Sequence, residues 1–276
     1  MGWRNQYFMA TVGGLWLVGS VCSASEGPPT GDDIFASADR FQVTDGDTVR
    51  LSHLGESHRI RLKGINAPEK GECLATEATE AMRGLMSEGL RVERQGTDRY
   101  GRWLAYLWTP EGRLVQLALV ERGLALANDY GDPDAHSGVL SAAQQQAQER
   151  GVGMFSATAC GASTGLDVRI VAMDPNPEGD DLQPGAGESV TLAGPPGARL
   201  GGWMVKDLTA SNRLPFPEGT RLDDEGRLRV YSSCGASSVG VYFACAEGSA
   251  IWNNTGDTAF LLDPNGNLVS SEAWRP

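Results

Sequence analysis

The chain has 276 residues, a formal net charge of −12, a hydrophobic content of 41% and five cysteines. That length accommodates two modest domains, or one domain with a tail. Residues 25–160 carry 14 Lys+Arg against 20 Asp+Glu, and residues 161–276 carry 8 against 15. This excludes polyanion affinity spread over a general basic surface, because phosphate neutralisation normally leaves a net-positive footprint; a divalent cation with a few converging arginines remains compatible with an acidic chain.

At the N-terminus Arg4 precedes an apolar run over residues 8–21, followed by the small residues Ser23, Ala24 and Ser25. The run has the length of a signal-peptide core and is short for a bilayer-spanning helix. The expectation is an export signal over residues 1–24, cleaved after Ala24, with a secreted or envelope-associated product. Cys22 keeps a lipid anchor open as an alternative, although Val21 sits where a lipobox requires a small residue. Residues 25–34 read as a linker.

Strand-forming runs follow at residues 41–43, 48–52 and 59–62. Residues 75–88 have helical spacing, with Ala78, Met82, Leu85 and Met86 near one face. Further strands are expected at 90–93 and 103–108. Two more helices, 114–121 and 139–150, are each ended by a glycine, Gly123 and Gly151. Strands with interposed helices in so short a span suggest a five-stranded OB-type β-barrel with helices (α+β) over residues 35–160. After a linker at 161–166 the helical pattern stops. Short apolar runs at 168–172, 189–193, 227–232, 239–243 and 258–262 alternate with turns, and Pro264-Asn265-Gly266-Asn267 is a hairpin signal. An all-β sandwich over residues 167–276 is expected.

Setting Cys22 aside leaves Cys73, Cys160, Cys234 and Cys245. An even number in an exported chain suggests disulfides, and three connectivities are possible. The boundary near residue 161 separates the four into pairs, favouring Cys73–Cys160 and Cys234–Cys245. No Cys/His spacing suggests zinc, and the only histidines are His53, His58 and His136.

Three stretches carry chemistry: Asp45-Gly46-Asp47-Thr48-Val49, a turn entering a strand; Arg61-Leu62-Lys63-Gly64-Ile65-Asn66-Ala67-Pro68-Glu69, a basic strand end meeting a polar loop; and Thr97-Asp98-Arg99-Tyr100-Gly101-Arg102, a charged turn. Each alone reads as an ordinary turn or loop. Together they supply the parts of metal-assisted phosphodiester cleavage. Asp47, Asn66 and a backbone carbonyl offer oxygen ligands to a hard cation. Glu69 can orient or deprotonate water, and two arginines can hold the oxygens of a five-coordinate phosphorus. No Ser/His/Asp set, P-loop or His-rich metal motif competes.

The order of these motifs, with a later helix leading into Glu121-Arg122-Gly123-Leu124-Ala125, resembles the thermonuclease (staphylococcal nuclease) family over about residues 35–157. The resemblance implies an OB-fold nuclease that needs Ca²⁺ and cleaves DNA and/or RNA to 3′-phosphate products. It assigns Asp47, Asn66 and the carbonyl of Ala67 to the metal, Glu69 to the base, and Arg61 and Arg102 to phosphate. Tyr100 would lie near the bound nucleotide, and Tyr130 corresponds loosely to a later substrate-binding tyrosine. Two departures stand out: Asn66 occupies the place of a charged ligand, which implies weaker metal affinity, and the basic surface is missing. Residues 166–271, with Gly201-Gly202-Trp203-Met204-Val205-Lys206-Asp207 and Ile251-Trp252-Asn253-Asn254-Thr255-Gly256-Asp257, resemble a lamin-tail domain. That implies an immunoglobulin-like sandwich of unassigned partner, with Trp203 and Trp252 in its core. A monomer is expected. The alternative function is a non-catalytic OB-fold module that binds nucleic acid or protein and is localised by the lamin-tail part.

Overall fold

The first half of the chain folds around a six-stranded sheet. Its strands in chain order are β1 (Ile34–Ala36), β2 (Phe41–Val43), β3 (Thr48–His53), β4 (Glu56–Leu62), β6 (Leu90–Thr97) and β7 (Trp103–Trp108), with the short β5 (Ile65–Asn66) between β4 and β6. The helices are α1 (Ala75–Leu85), α2 (Val115–Val120) and α3 (Ser137–Arg150), and β8 (Leu126–Ala127) lies between the last two. The computed structural model describes residues 33–129, 133–207, 212–246, 250–254 and 256–274. The expected export segment, with Cys22 and Ala24, and Tyr130 lie outside them.

The sheet order is β1-β6-β7-β4-β3-β2, and β5 pairs separately with β8. The sixth strand, β1, is beyond the five expected; three residues are too few to display a period of two, and β1 is recruited by pairing Ile34 with Val92 of β6. Strands β3 and β4 also run closer together than their sequence patterns suggest. They are joined at a two-residue turn in which Leu54 and Gly55 both take positive φ, 51° and 84°, the backbone that matches hairpin twist. Leucine rarely adopts it, so composition gives little sign of this turn. Helix α1 stops at Leu85, short of the expected 88, because Met86–Gly89 closes as a turn on Met82, Arg83 and Gly84 carbonyls.

Alternation places Val49, Leu51, Ile60, Leu62, Val92 and Leu107 in one core, where they meet Met82 of α1, Leu119 of α2 and Leu140 of α3. Helix α2 is stitched to β7 by the buried Gln116, whose side chain donates to the Ala105 carbonyl at 2.9 Å and accepts from the Leu107 N–H at 3.2 Å.

Beyond residue 166 every element is a strand: β9 (Arg169–Asp174), β10 (Ser189–Ala193), β11 (Met204–Lys206), β12 (Arg213–Pro215), β13 (Arg227–Tyr231), β14 (Val241–Phe243), β15 (Asp257–Leu262) and β16 (Leu268–Trp274). They make two four-stranded sheets, β14-β13-β10-β9 and β12-β11-β15-β16. Ile170, Leu192 and Val230 of one sheet share a core with Val205, Leu214 and Leu261 of the other. Trp203 and Trp252 are buried in it, as core positions. The hairpin signal at 264–267 joins β15 to β16, and the Asp263 carboxylate caps it by accepting from the N–H groups of Asn265 and Asn267. No strand of the first half pairs with a strand of the second among the described residues. Disulfides join Cys73 to Cys160 and Cys234 to Cys245. Among the described residues no helix is long and apolar enough to cross a membrane.

Candidate active site

The site is assembled where the turn into β3, the end of β4 and the loop after β5 converge. The turn closes because the N–H groups of Thr44 and Asp45 both reach the Thr48 carbonyl. The Asp45 carboxylate accepts from the Asp47 N–H at 3.1 Å, fixing the direction in which Asp47 leaves the backbone. Gly46 is needed for closeness: a Cβ there would lie 2.7 Å from the Cβ of Ala67 and 2.8 Å from that of Ala78. Any side chain would push the turn away from both the loop and α1.

Asp47 is buried, with 6% of its surface exposed. Its Oδ2 accepts from the Ala67 N–H at 2.7 Å and pairs with Arg61 Nη2 at 3.1 Å, while Oδ1 accepts from the Thr48 hydroxyl at 3.1 Å. Burial pushes its pKa upward, against the opposing charge of Arg61. Arg61 is equally buried. Its Nη1 donates to the carbonyls of Leu62 and Ile65 at 2.7 and 2.8 Å, and its Nη2 donates to Asn66 Oδ1 at 2.9 Å. One guanidinium thus ties the end of β4, the strand β5 and the Asp47 carboxylate into one unit.

Glu69 follows on the same loop and is half-buried. Burial raises its pKa above the ordinary carboxylate range, and the charges of Asp47, Asp45 and Glu72 add to the rise. The structure therefore brings Asp47, Arg61, Asn66, Ala67 and Glu69 together. Arg102 and Tyr100 lie on the β6–β7 turn, ahead of β7, whose Leu104 is the register partner of Arg61 in β4. There Arg102 Nε donates to Asp98 Oδ2 at 2.7 Å, and Asp98 also accepts from the N–H groups of Tyr100 and Arg102. Burial works against the Asp98 charge, but these bonds hold its pKa below the usual value. Tyr100 is 66% exposed, and its ring lies under the Arg102 guanidinium, 5.6 Å from centroid to Cζ. The terminal Nη groups of Arg102 have no hydrogen-bond partner among the described residues.

The donor set suits a hard cation. Asp47, Asn66 and the Ala67 carbonyl offer oxygens only; burial disfavours the charge of both Asp47 and Glu69, Asp45 adds to the rise of both, and a cation would offset that negative charge. Among the described residues no three carboxylate, imidazole or thiolate groups stand together as ligands. A cation here would rest on one carboxylate, helped by amide, carbonyl and water oxygens. Asn66 Oδ1 already accepts from Arg61, so it would offer its second lone pair.

Three residues complete the site without having been assigned to it from sequence: Asp45, Thr48 and Glu72. The first two lie inside the DGDTV motif and read there as turn formers. Glu72 carried one signal, its position three residues after Glu69. Its Oε2 accepts from the Glu69 N–H at 2.8 Å while the Glu72 N–H reaches the Glu69 carbonyl, a capping-box-like exchange.

The chain is similar to known proteins over this part of its length. The family model described as staphylococcal nuclease homologue matches residues 59–157, which hold Arg61, Asn66, Ala67, Glu69 and Arg102. Protein ParB of Escherichia coli is 32% identical over 124 residues, 42% of this chain and 70% of that protein. An uncharacterized endonuclease of Escherichia coli O157:H7 is 32% identical over 42% of this chain and 74% of its own length. The thermonuclease of Staphylococcus intermedius is 31% identical over 40% of this chain and 70% of its own length. The chain belongs to the staphylococcal nuclease homologue family, a family of metal-dependent nucleases built on an OB-fold half-barrel.

Proposed function

We propose that the chain is an exported, calcium-dependent nuclease that hydrolyses phosphodiester bonds of DNA and/or RNA to 3′-phosphate products. One observation carries the reading. Glu69, with its raised pKa, stands on the loop whose neighbouring residues Asn66 and Ala67 are bonded to Asp47 and Arg61. Asp47, Asn66 and the Ala67 carbonyl would hold the calcium ion, which when bound supplies charge neutralisation and an acidified water. Glu69 accepts the proton of the attacking water. Arg102, anchored through Nε, directs its outer fork toward the charge that develops on the phosphate oxygens. The Nη groups of Arg61 are all engaged, so its first task is to keep Asp47 and the loop in register. Tyr100, exposed beside Arg102, would lie against a nucleotide.

The remaining parts of the reading rest on sequence. The segment 1–24 would direct export, residues 35–160 would form the nuclease domain, and residues 167–276 would form an immunoglobulin-like, lamin-tail-type module. Support for the last is the single core shared by two four-stranded sheets. The test is incubation of the purified chain with single-stranded DNA in calcium and in chelator, with end analysis of the products. Calcium-dependent cleavage leaving phosphatase-sensitive 3′ ends is expected. No cleavage in calcium, or equal cleavage in chelator, would overturn the proposal.

A further inference from the structure

Lys206 and Arg213 present an electrostatic problem that is solved from the other half of the molecule. They are direct cross-strand partners in the antiparallel pair β11–β12, where like charges facing each other are unfavourable. Lys206 is moreover buried, with only 9% of its side chain exposed. Both cations converge on one oxygen of Glu72: Lys206 Nζ lies 2.6 Å and Arg213 Nη2 2.7 Å from Oε1. The other oxygen of the same carboxylate accepts the Glu69 N–H at 2.8 Å. Glu72 therefore connects two strands of the C-terminal half directly to the backbone of the residue proposed as the base.

A cavity of about 310 Å³ is lined by Asn66, Pro68 and Leu74 of the loop carrying Glu69 and by Met204, Phe260 and Leu262 of the C-terminal half. The disulfide Cys73–Cys160 anchors the loop one residue beyond Glu72. Cys160 is in turn held to the C-terminal half through its N–H, which donates to Asn267 Oδ1 at 2.9 Å. A disulfide and an ion-pair cluster at adjacent positions thus hold the loop beside that cavity.

We infer that Glu72 is a positioning residue, through which Lys206 and Arg213 of the C-terminal half set the placement of Glu69. The inference rests on the proposed nuclease reading for its catalytic consequence, and on the contacts alone for its structural one. The C-terminal half is then part of the catalytic apparatus rather than a passenger. Misplacement of a catalytic group by a distant change costs about 10–100-fold in rate. Lost placement acts on turnover more than on substrate binding.

The experiment uses the full chain, in calcium, with single-stranded DNA. Kinetic constants are measured beside amide hydrogen exchange over residues 66–74. Glu72→Ala is expected to lose about 10–100-fold in kcat with KM changed less than threefold, and to lose protection of the Glu69 amide. Glu72→Gln, which can still accept that N–H, recovers part of both. Because Glu72→Ala strands a buried lysine and risks the fold, the double variant Glu72→Leu/Lys206→Leu is included, with thermal melting as its control. A folded double variant with parental kcat overturns the inference, as does one whose loss lies in KM alone. If the parent itself cleaves nothing, the nuclease reading fails separately, and unchanged Glu69 protection in the variants would then overturn the positioning role as well.

Discussion

Arg61 and Arg102 show how two arginines of similar expectation differ once the surroundings are known. Arg61 is buried among Asp47, Asn66 and two carbonyls, whereas Arg102 is pinned at Nε by Asp98 and lies over the Tyr100 ring. Lysine keeps the charge at either place but loses the planar fork. Arg102→Lys should therefore lower kcat/KM by about 10–100-fold with an unchanged melting temperature. Arg61→Lys should lower both activity and stability, by about 2 kcal/mol for the orphaned loop acceptors. Thermal melting beside steady-state kinetics distinguishes them; two variants that behave alike would contradict the division of labour. A second test at this scale uses Asp134. Burial alone would raise its pKa, but Lys63 at 2.8 Å, the Tyr106 hydroxyl and the His136 N–H hold it down to about 2. A depressed carboxylate stabilises the fold above its unfolded pKa and loses that contribution as pH falls through its folded one. After allowance for solvent screening the contribution is about 1 kcal/mol. Asp134→Asn should melt below the parent at pH 7, with the gap closing between about pH 4 and pH 2. A gap that persists unchanged at pH 2 would contradict this.

At the scale of elements, the loop between β5 and α1 determines the site, and its anchors are covalent and ionic. Removing the disulfide with Cys73→Ser/Cys160→Ser opens a closure spanning 87 residues, for which chain-entropy reasoning gives about 4 kcal/mol. Chemical denaturation should show a loss of that order, together with a fall in kcat from the freed loop; a variant as stable and active as the parent would contradict the anchoring role. Much of this architecture was legible beforehand. The alternation of β3 and the unbroken apolar and aromatic run of β7 announced their strands, and Gly123 and Gly151 marked helix ends. The short strands β1, β5, β8, β11 and β12 were not legible, because two or three residues show no period and owe their pairing to partners far away in sequence. The Leu54-Gly55 turn was hidden by a leucine in a glycine-like conformation. The motif residues Asp47, Asn66, Ala67 and Glu69 could be named from their order. The engagement of the Arg61 fork and the reach of Glu72 to Lys206 could not, since both depend on contacts that spacing does not encode.

For the whole molecule, the net charge of −12 means that substrate must be held locally. If two arginines make the phosphate contacts, the logarithm of single-strand affinity should fall with the logarithm of salt concentration at a slope of about −1.5. The slope is measurable by anisotropy with the Glu69→Gln protein at fixed calcium, and one steeper than about −4 would reveal an extended basic track instead. On the proposed reading, the cation and the arginines would offset charge where the scissile phosphate lies, and the surrounding acidic surface would add little to binding. Within that account everything converges on Glu69. The most direct measurement is therefore the single-turnover cleavage rate of single-stranded DNA in saturating calcium, for the parent and for Glu69→Gln. The account predicts a rate lower by about 10²–10⁴ in the variant, with its fold and its DNA affinity intact. A variant that cleaves within about twofold of the parent would contradict the assignment of Glu69 as the base.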